Sequence, residues 1–305
     1  MALNNVTTAM EALIAPIPKV LLQAEITSLS KNCLLFKRGK FEVYLASATL
    51  IPNLLKEIGR LRELTFRAVG EGTGKKMDVD QYDQYYQNLF IWNTETQRII
   101  GGYRLGAGAT IFENYRVEGF YINSLFNIKK GFFKTLRKSV ELGRSYIVPD
   151  YQKNHFPLFL LWRGILTFLN QNPNYRYLIG PVSISKTYSD MSKSMIIAFV
   201  KRYCYDSKIA QYFEARMPYK PIINEIDIEE KVTQFDGNLK NLETFLESIE
   251  QMNIRVPVML KQYSRQNAKF ISFNIDPNFS NALDGLMILD LKNVPEETLA
   301  LLNDK

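Results

Sequence analysis

The sequence predicts a fold of the α/β or α+β class with a mixed sheet. Segments that favour strands, beginning with Phe41 to Leu45, alternate with segments of helical spacing, beginning with Pro52 to Phe66. The alternation shows no internal repeat. The 305 residues, 46% of them hydrophobic, are enough to bury a substantial core in one large domain or two modest ones.

Composition restricts the chemistry that the chain can perform. A single histidine, His155, excludes metal sites built on paired histidines and leaves acid–base work mainly to carboxylates, tyrosines or water. Cys33 and Cys204 stand far apart and no export signal is recognisable, so we expect a reduced, cytoplasmic protein without a metal. No apolar run is long enough to span a bilayer. The net charge of +7 favours an acidic partner, whether nucleic acid, anionic lipid or an acidic protein.

The chain begins with a segment that we interpret as an accessory arm, residues 1–37. Its amphipathic pattern from Met10 to Leu22 is interrupted by two prolines. The first strand is predicted at Phe41 to Leu45, where apolar and polar residues alternate. A helix follows from Pro52 to about Phe66, with the proline in its first turn and apolar residues at helical spacing.

Two polar segments after this helix resemble ligand sites but lack the full patterns. Gly70 to Lys76 carries three glycines, but a phosphate loop needs a preceding strand and a Ser or Thr after its lysine. Asp78, Asp80 and Asp83 supply three carboxylates, but the twelve-residue calcium loop with its terminal Glu is missing. We therefore predict a flexible loop and no metal here.

A hairpin and a basic segment come next. Gln87 to Trp92 and Arg98 to Leu105 are predicted to pair, which places Arg104 in mid-sheet. Between residues 129 and 138, five cations interleave with apolar residues. A solvated helix face is one interpretation and a docking surface for an anion is the other. The cations proposed for docking are Lys130, Lys134, Arg137 and Lys138.

The second half of the chain is predicted to complete the same domain. Residues 38–205 form the expected catalytic core, and residues 206–305 form a linker and a helix and strand extension. Ser183 and Ser185, at the exit of a strand, are interpreted either as substrate contacts or as helix caps. The predicted elements are helices at Phe156–Leu169, Met191–Tyr203, Leu239–Met252 and after Pro295, strands at Tyr177–Val182, Val256–Leu260, Phe270–Ile275 and Leu286–Leu291, and an irregular stretch at Asp206–Gly237.

The stretch from Ser139 to Gln152 carries the strongest functional signal. Its β-branched run favours a strand that Pro149 ends. Glu141 and Arg144 would point to opposite faces of a regular strand, so a shared site requires a break in the pleat. A bulge at Gly143 would provide that break. A structural ion pair and an active site are both compatible with these residues.

The charged residues together resemble a family signature. Arg62-x-x-x-Phe66, Asp80-x-x-Asp83, Arg104 and Glu141-x-x-Arg144 are similar to motifs of the acyl-homoserine-lactone synthases and of the ornithine-lipid and hemolysin-like N-acyltransferases. The words around Arg104 and Glu141, Gly-Tyr-Arg-Leu and Glu-Leu-Gly-Arg-Ser, resemble the hemolysin-like branch more closely. These families share the fold of the GNAT acetyltransferases. The resemblance implies a mixed, mostly antiparallel central sheet flanked by helices, with C-terminal strands that extend it.

The resemblance also implies an activity and a donor. The expected reaction moves a fatty acyl chain, with a 3-hydroxyacyl chain among the candidates, from an acyl carrier protein thioester to the amino group of an amino acid. The product would be an N-acyl amino acid lipid or a lipid precursor, and an anionic surface on the inner face of the membrane is a further candidate partner. We expect no tightly bound cofactor, because the acyl-phosphopantetheine thioester is itself the donor.

One departure from the fold family bears on the donor. Acetyltransferases cradle the coenzyme A pyrophosphate in a glycine-rich loop, whereas Val148 to Asn154 contains no glycine. The arm of a carrier protein has a single phosphodiester, so acyl carrier protein fits better than coenzyme A, which stays the alternative. The basic segment at 129–138 would then face an acidic carrier.

Roles for the signature residues follow from their chemistry. Glu141, directly or through water, is the expected base, and amides at Gly143 the expected oxyanion donors. Arg104 or Arg144 would hold the acceptor's carboxylate. Other predicted substrate-side residues are Asp80, Asp83, Arg62, Phe66, Ser183 and Ser185, although the two aspartates could instead pair with the arginines. The competing function is a non-enzymatic basic protein that binds anionic lipid or nucleic acid; we expect no nucleic acid, because surface binding has no use for charges within apolar strands.

Overall fold

The computed structural model describes residues 10–29, 31–220, 225–250 and 255–300. Its strands are β1 (Leu34–Arg38), β2 (Phe41–Ser47), β3 (Gln87–Asn93), β4 (Arg98–Ala107), β5 (Phe126–Ile128), β6 (Ser139–Ile147), β7 (Tyr177–Ile184), β8 (Phe213–Ala215), β9 (Lys269–Asp276) and β10 (Ala282–Asp290). Its helices are α1 (Lys19–Ser28), α2 (Pro52–Arg67), α3 (Gly108–Tyr115), α4 (Tyr121–Leu125), α5 (Phe133–Leu136), α6 (Phe156–Gln171), α7 (Asp190–Tyr203), α8 (Ser207–Ala210), α9 (Glu225–Thr233), α10 (Leu239–Ile249), α11 (Val258–Arg265) and α12 (Glu296–Ala300).

Eight of these strands form one sheet in the order β1-β2-β3-β4-β6-β7-β10-β9. Neighbours run antiparallel except β6 and β7, which are parallel. Strands β5 and β8 pair separately. The predicted class, a mixed and mostly antiparallel sheet flanked by helices, is confirmed.

The two faces of the sheet are covered differently. One face packs on α6, α7, α10 and α11, where Leu142 and Leu178 of the sheet belong to the same apolar cluster as Trp162. The other face carries two apolar clusters, one around Trp92 under α1 and α2, and one around Phe126 and the segment from α3 to α5. The polar residues of the site belong to this second face.

The start of the chain differs from the prediction. Helix α1 begins at Lys19, after the prolines that interrupt the Met10 to Leu22 pattern, because proline lacks the amide and restricts the residue before it. Strand β1 was not predicted, and the expected boundary at residue 37 falls inside it. Lys37 pairs with Glu42 across the turn at Gly39, so the arm leads directly into the sheet.

Two predictions in the second half were wrong. The run Val256 to Leu260, predicted as a strand, lies at the start of α11, where Leu260 and Tyr263 are buried one helical turn apart. Pro257 is the N-cap residue of that helix, directly before its first turn. The stretch expected to be irregular contains α8, β8 and α9. The helix predicted from Leu239 was expected to end at Met252, which lies outside the described residues. The closing strands predicted near the end of the chain are confirmed as β9 and β10.

The sheet opens between its two parallel strands. Residues of β6 and β7 pair only from Ser139 with Tyr177 to Glu141 with Ile179. Beyond these pairs β6 continues on β4 and β7 continues on β10. A side chain added at Gly143 would have no atom within 4 Å, so the opening begins beside this glycine. In the part of the chain that the structure describes, no helix has the length and apolarity needed to cross a bilayer.

Candidate active site

The break in the pleat of β6 is present. Gly102 pairs with Tyr146 and Arg104 with Gly143, so two residues of β6, Arg144 and Ser145, stand opposite one residue of β4. This is a β-bulge. The residue in the left-handed conformation is Arg144, with φ of 52°, and not Gly143. Because of the bulge, the Arg144 side chain enters the same polar network as Glu141 and Arg104.

Arg104 is enclosed by carboxylates and rings. Its Nη1 lies 2.6 Å from Asp80 Oδ1 and 3.1 Å from Asp83 Oδ2, and only 1% of its side chain is exposed. The rings of Tyr82, Tyr86 and Tyr121 have their centroids 5.3 to 5.6 Å from its guanidinium. Burial lowers the pKa of Arg104, but Asp83 and Asp80 raise it further, so the side chain stays charged. The structure thus shows the ion-pair role that was one interpretation of the two aspartates.

Arg62 completes this ion-pair cluster from α2. It donates to Asp83 Oδ1 at 2.8 Å and to Asn88 Oδ1 at 2.9 Å, and it is also 1% exposed. Burial raises the pKa of Asp83, but Arg62 and Arg104 more than offset this and hold it below its usual range. Asp83 also accepts a hydrogen bond from the backbone amide of Asp80, and Asp80 accepts one from the backbone amide of Tyr82. The same two carboxylates therefore hold the turn before β3 in place.

Arg144 lies nearer to the opening. Its Nε is 2.8 Å from Asp78 Oδ2 and its Nη2 is 3.4 Å from Asp80 Oδ2, so Asp80 bridges Arg104 and Arg144. Its guanidinium stacks on the rings of Tyr121 and Phe279, each 4.9 Å away. Asp78 and Phe279 were not assigned to the site from the sequence, because they reach it only through the folded chain.

Glu141 is buried without a cation partner among the described residues. Its Oε2 accepts from the Tyr86 hydroxyl at 2.7 Å and its Oε1 from the amide of Ile122 at 3.0 Å, and it is 1% exposed. Burial raises the pKa of Glu141 to about 7, although the bond from Tyr86 opposes the shift. Glu141 can therefore gain or lose a proton near neutral pH.

The remaining predicted substrate-side residues lie around this network. Phe66 is buried and packs edge-on against Phe279 at 5.1 Å, one layer behind Arg144. Ser183 donates to Asp284 Oδ1 at 2.6 Å. Ser185 is buried and accepts from the amide and hydroxyl of Thr187 in the loop before α7, whose N-cap is Ser189.

The glycine loop is bound to an internal carboxylate. Glu63, completely buried on α2, accepts from the amides of Thr73 at 3.0 Å and Gly74 at 2.8 Å. It also pairs with Arg67 at 2.8 Å. The amides that a phosphate would need are therefore already occupied. The described residues contain no group of three or more His, Cys, Asp or Glu that could hold a metal ion.

The start of α6, which follows the glycine-free loop from Val148 to Asn154, offers few free amides. The amide of Phe156 donates to Asn154 Oδ1 at 2.9 Å, and the next residue, Pro157, has none. The predicted docking cations Lys130, Lys134, Arg137 and Lys138 are all exposed. They precede β6 at its paired end, and Arg137 stacks on Phe112 at 4.2 Å.

A sheet that opens between two parallel strands, beside a bulge and a buried carboxylate, defines an acyltransferase of the GNAT fold. Residues 61–162 match the family described as an acetyltransferase (GNAT) domain. This range includes Arg62, Arg104, Glu141 and Arg144.

Two relatives place the chain more narrowly. It is 32% identical over 267 residues to the glycine N(alpha)-acyltransferase of Bacteroides thetaiotaomicron, covering 83% of this chain and 77% of that enzyme. It is 34% identical over 258 residues to the enzyme of the same name from Phocaeicola vulgatus, covering 81% and 76%. The chain belongs to this family of N-acyltransferases.

Solved structures resemble the chain more distantly. FeeM, an N-acyl amino acid synthase from uncultured soil microbes, is 13% identical with a TM-score of 0.41, covering 87% of this chain and 98% of that one. A CoA-dependent acyl-homoserine lactone synthase, BjaI, is 12% identical with a TM-score of 0.41, covering 86% and 87%. Family membership rests on the two sequence relatives and not on these structures.

Proposed function

We propose that this enzyme transfers a fatty acyl chain from a carrier-protein thioester to the amino group of glycine. The observation that carries the proposal is the opening beside Gly143, with the buried carboxyl of Glu141 two residues before it on the same strand. The choice of glycine follows the names of the two relatives. The product would be an N-acylglycine, an anionic lipid or lipid precursor.

In this proposal the thioester carbonyl of the donor lies beside the bulge of β6. The extra residue of a bulge leaves backbone groups outside the regular ladder, and Gly143 and Arg144 stand there without a partner strand on the β7 side. Amides held in a fixed orientation at this point would stabilise the oxyanion that forms when the amine attacks. The absence of a side chain at Gly143 gives the thioester access to these amides.

Arg144 is the better candidate to hold the acceptor's carboxylate. Its side chain is 10% exposed and lies at the opening, whereas Arg104 is 1% exposed and bonded to two aspartates. Arg104 would then act through Asp80, which it shares with Arg144. In this assignment Arg62, Asp83 and Phe66 support the site without touching substrate.

Glu141 is the proposed base, acting through water. Both of its oxygens are already bonded inside the protein, so direct contact with the amine would require one bond to break. Its raised pKa, about 7, matches a group that exchanges protons at neutral pH. The bond from Tyr86 fixes the orientation of the carboxylate.

The proposed donor is acyl carrier protein rather than coenzyme A. The first amide of α6 is capped by Asn154 and the second position is Pro157, so a pyrophosphate would find little to bind. The exposed cations Lys130, Lys134, Arg137 and Lys138 are the proposed contact for the acidic carrier. An anionic membrane surface stays a predicted further partner.

Incubation with acyl thioesters tests the proposal. The purified enzyme would receive either acyl carrier protein or coenzyme A thioesters together with a panel of amino acids, and the products would be identified by mass spectrometry. We expect N-acylglycine in highest yield, and more of it from the carrier-protein thioester. Absence of an amide product with every donor and acceptor would contradict the proposed reaction, and preference for another amino acid would contradict glycine as acceptor.

A further inference from the structure

Asp284, on β10, is a buried carboxylate that the proposed mechanism does not use. It is 2% exposed, and its Oδ1 accepts from Ser183 at 2.6 Å. Within the described residues, its Oδ2 has no hydrogen-bond donor and neither oxygen has a cation partner. A buried charge without a cation is costly, so its persistence at this position requires an explanation.

Three other buried carboxylates on this side of the sheet have such a cation. Asp83 is paired with Arg62 and Arg104, Asp78 with Arg144, and Glu63 with Arg67. Asp276 has none in the described part of the chain, but it accepts from the Tyr121 hydroxyl at 2.6 Å and from the amide of Asn278 at 2.9 Å, so both of its oxygens are bonded. Asp284 is left with a single hydroxyl.

Asp284 belongs to β10, the strand that pairs with β7 on the far side of the opening from Gly143. Its partner Ser183 is on β7, four residues beyond Ile179, the last residue of β7 that pairs with β6. Arg144, on the β6 wall, is close enough to lower the pKa of Asp284. The β6 side of the opening therefore carries an arginine, and the side formed by β7 and β10 carries a carboxylate.

The charged and titratable groups around Asp284 come from several elements. These are Asp276 on β9, Arg144 on β6, Tyr121 on α4 and Glu71 in the loop after α2. Burial raises the pKa of Asp284 to about 7; the Ser183 bond opposes the shift and Asp276 adds to it. Burial likewise raises the pKa of Glu71 to about 8, and Asp284 adds to that shift.

We propose that Asp284 binds the ammonium group of the acceptor and takes its first proton, while Ser183 holds the carboxylate in position. Arg144 on the opposite wall would bind the carboxylate of the same amino acid. The inference rests on the proposed function and deepens it, because it assigns the two ends of the acceptor to two walls of one opening. It requires an α-amino acid and disfavours amines that lack a carboxylate.

The proton balance of the reaction explains why two carboxyl groups are present. The acceptor nitrogen begins with three protons and ends in the amide with one. Asp284 takes one proton and later releases it to solvent, and the free amine then forms the C–N bond at the thioester carbon. As the C–S bond breaks, the second proton passes by way of Glu141 to the leaving thiolate.

The test compares the activity of Asp284→Asn with glycine at two pH values. At pH 7 the amino group of glycine is protonated and needs the base, whereas at pH 10 most of it is already the free amine. We expect Asp284→Asn to lower kcat/KM for glycine by about 10²-fold or more relative to wild type at pH 7, and to stay within a few-fold of wild type at pH 10. KM for the acyl donor should not change. Asp290→Asn, on the same strand but paired with Arg176, is the control and should match wild type at both pH values.

The remaining outcomes each contradict a stated part. Equal losses at pH 7 and pH 10 would show that Asp284 only maintains the structure, and normal activity at pH 7 would show that it has no role. A wild-type enzyme that acylates glycine at neither pH would overturn the proposed function and this inference with it. A folding defect is not expected, because asparagine keeps the bond from Ser183 and removes a buried charge; thermal unfolding at pH 8 should show a Tm at least equal to that of wild type.

Discussion

The polar layer on one face of the sheet has two halves, which differ in whether their buried carboxylates have a cation partner. In the half formed by Arg62, Asp83 and Arg104, charges of opposite sign lie 2.8 to 3.1 Å apart and are 1% exposed. In the half beside the opening, Glu141 and Asp284 are as deeply buried but bond only to hydroxyls and an amide. The same depth of burial therefore occurs with and without a cation partner.

The difference separates structure from chemistry. A paired carboxylate such as Asp83 has its pKa held below the usual range and cannot serve as a base near neutral pH. An unpaired one such as Glu141, with a pKa of about 7, can exchange a proton there. The paired half fixes the turn before β3 and the mid-sheet arginine, and the unpaired half is available for the reaction.

Glu141→Gln should have the largest effect on activity. Glutamine preserves the shape but cannot take a proton, so we expect kcat to fall by about 10²-fold or more with the fold intact. Glu42→Gln is a matched control, because Glu42 is also buried and accepts from a tyrosine hydroxyl, Tyr44, at 2.7 Å, but lies on β2 with Lys37 as its partner. Wild-type turnover of Glu141→Gln across the pH range would remove Glu141 from the mechanism.

Arg104→Lys should cost about tenfold or more in kcat/KM although the charge is kept. A lysine ammonium cannot reproduce the planar contacts of the guanidinium with two aspartates and three rings, so Asp80 would be released from its position against Arg144. Circular dichroism and Tm distinguish a displaced site from an unfolded protein. Arg98→Lys, an exposed change on the same strand, is the control. Normal kinetics in Arg104→Lys would show that the site needs only a positive charge at this position and not the geometry of the guanidinium.

The carboxylates of the two halves should also change the free energy of unfolding with pH in opposite directions. A carboxyl whose folded pKa is raised holds its proton longer when folded, so the free energy of unfolding falls as pH rises from about 4.5 to 7. Glu141→Gln removes this loss and should gain stability relative to wild type over that range, by roughly 3 kcal/mol at most, at about 1.4 kcal/mol per pKa unit. Asp83, whose folded pKa is depressed, stabilises above about pH 4 and loses that contribution as pH falls.

Urea unfolding at a series of pH values measures both effects. The difference between Glu141→Gln and wild type should grow from pH 5 to pH 7.5, while Asp83→Asn should be destabilised most at neutral pH and least at pH 3. Parallel pH profiles for the two variants would contradict the division into a paired and an unpaired half.

Both halves could be predicted only in part from the sequence. Pairing of Asp80 and Asp83 with the arginines was one of two interpretations, and the odd spacing of Glu141 and Arg144 required a bulge if the two were to share a site. Asp284 could not be assigned, because it contacts Ser183 across 101 positions of sequence through the pairing of β7 with β10. Strands that are neighbours in a sheet need not be consecutive in the sequence, so this pairing could not be read from the order of the predicted strands.

The misassigned helix α11 has a different cause. Val256 to Leu260 is a short apolar run that contains Pro257, and such runs do not distinguish a buried strand from the start of a helix. Its environment decides: Leu260 and Tyr263 face the core while Val258 is 65% exposed, which only helical spacing allows. Met259 of this helix contacts Tyr103 and Ser145 behind the bulge, so the missed element supports the site.

The smallest expected effect concerns the donor and lies outside both halves. The proposed docking cations precede the paired end of β6; they are Lys130, Lys134, Arg137 and Lys138. At about 3.3 Å per residue of a strand, Lys138 is roughly 17 Å from Gly143. The pantetheine arm of a docked carrier would therefore have to follow the strand to the opening. Reversing Lys130 and Lys134 to Glu should lower kcat/KM for the carrier-protein thioester about three- to tenfold and weaken its salt dependence, because long-range attraction mainly accelerates encounter. A small pantetheine thioester carries no acidic protein and should react as with wild type. Reversal of Lys56 and Lys240, exposed on α2 and α10, is the matched control for a general change in net charge. Equal losses with both donors would place the segment in folding or in the site itself, and no loss with either would leave it as a solvated face.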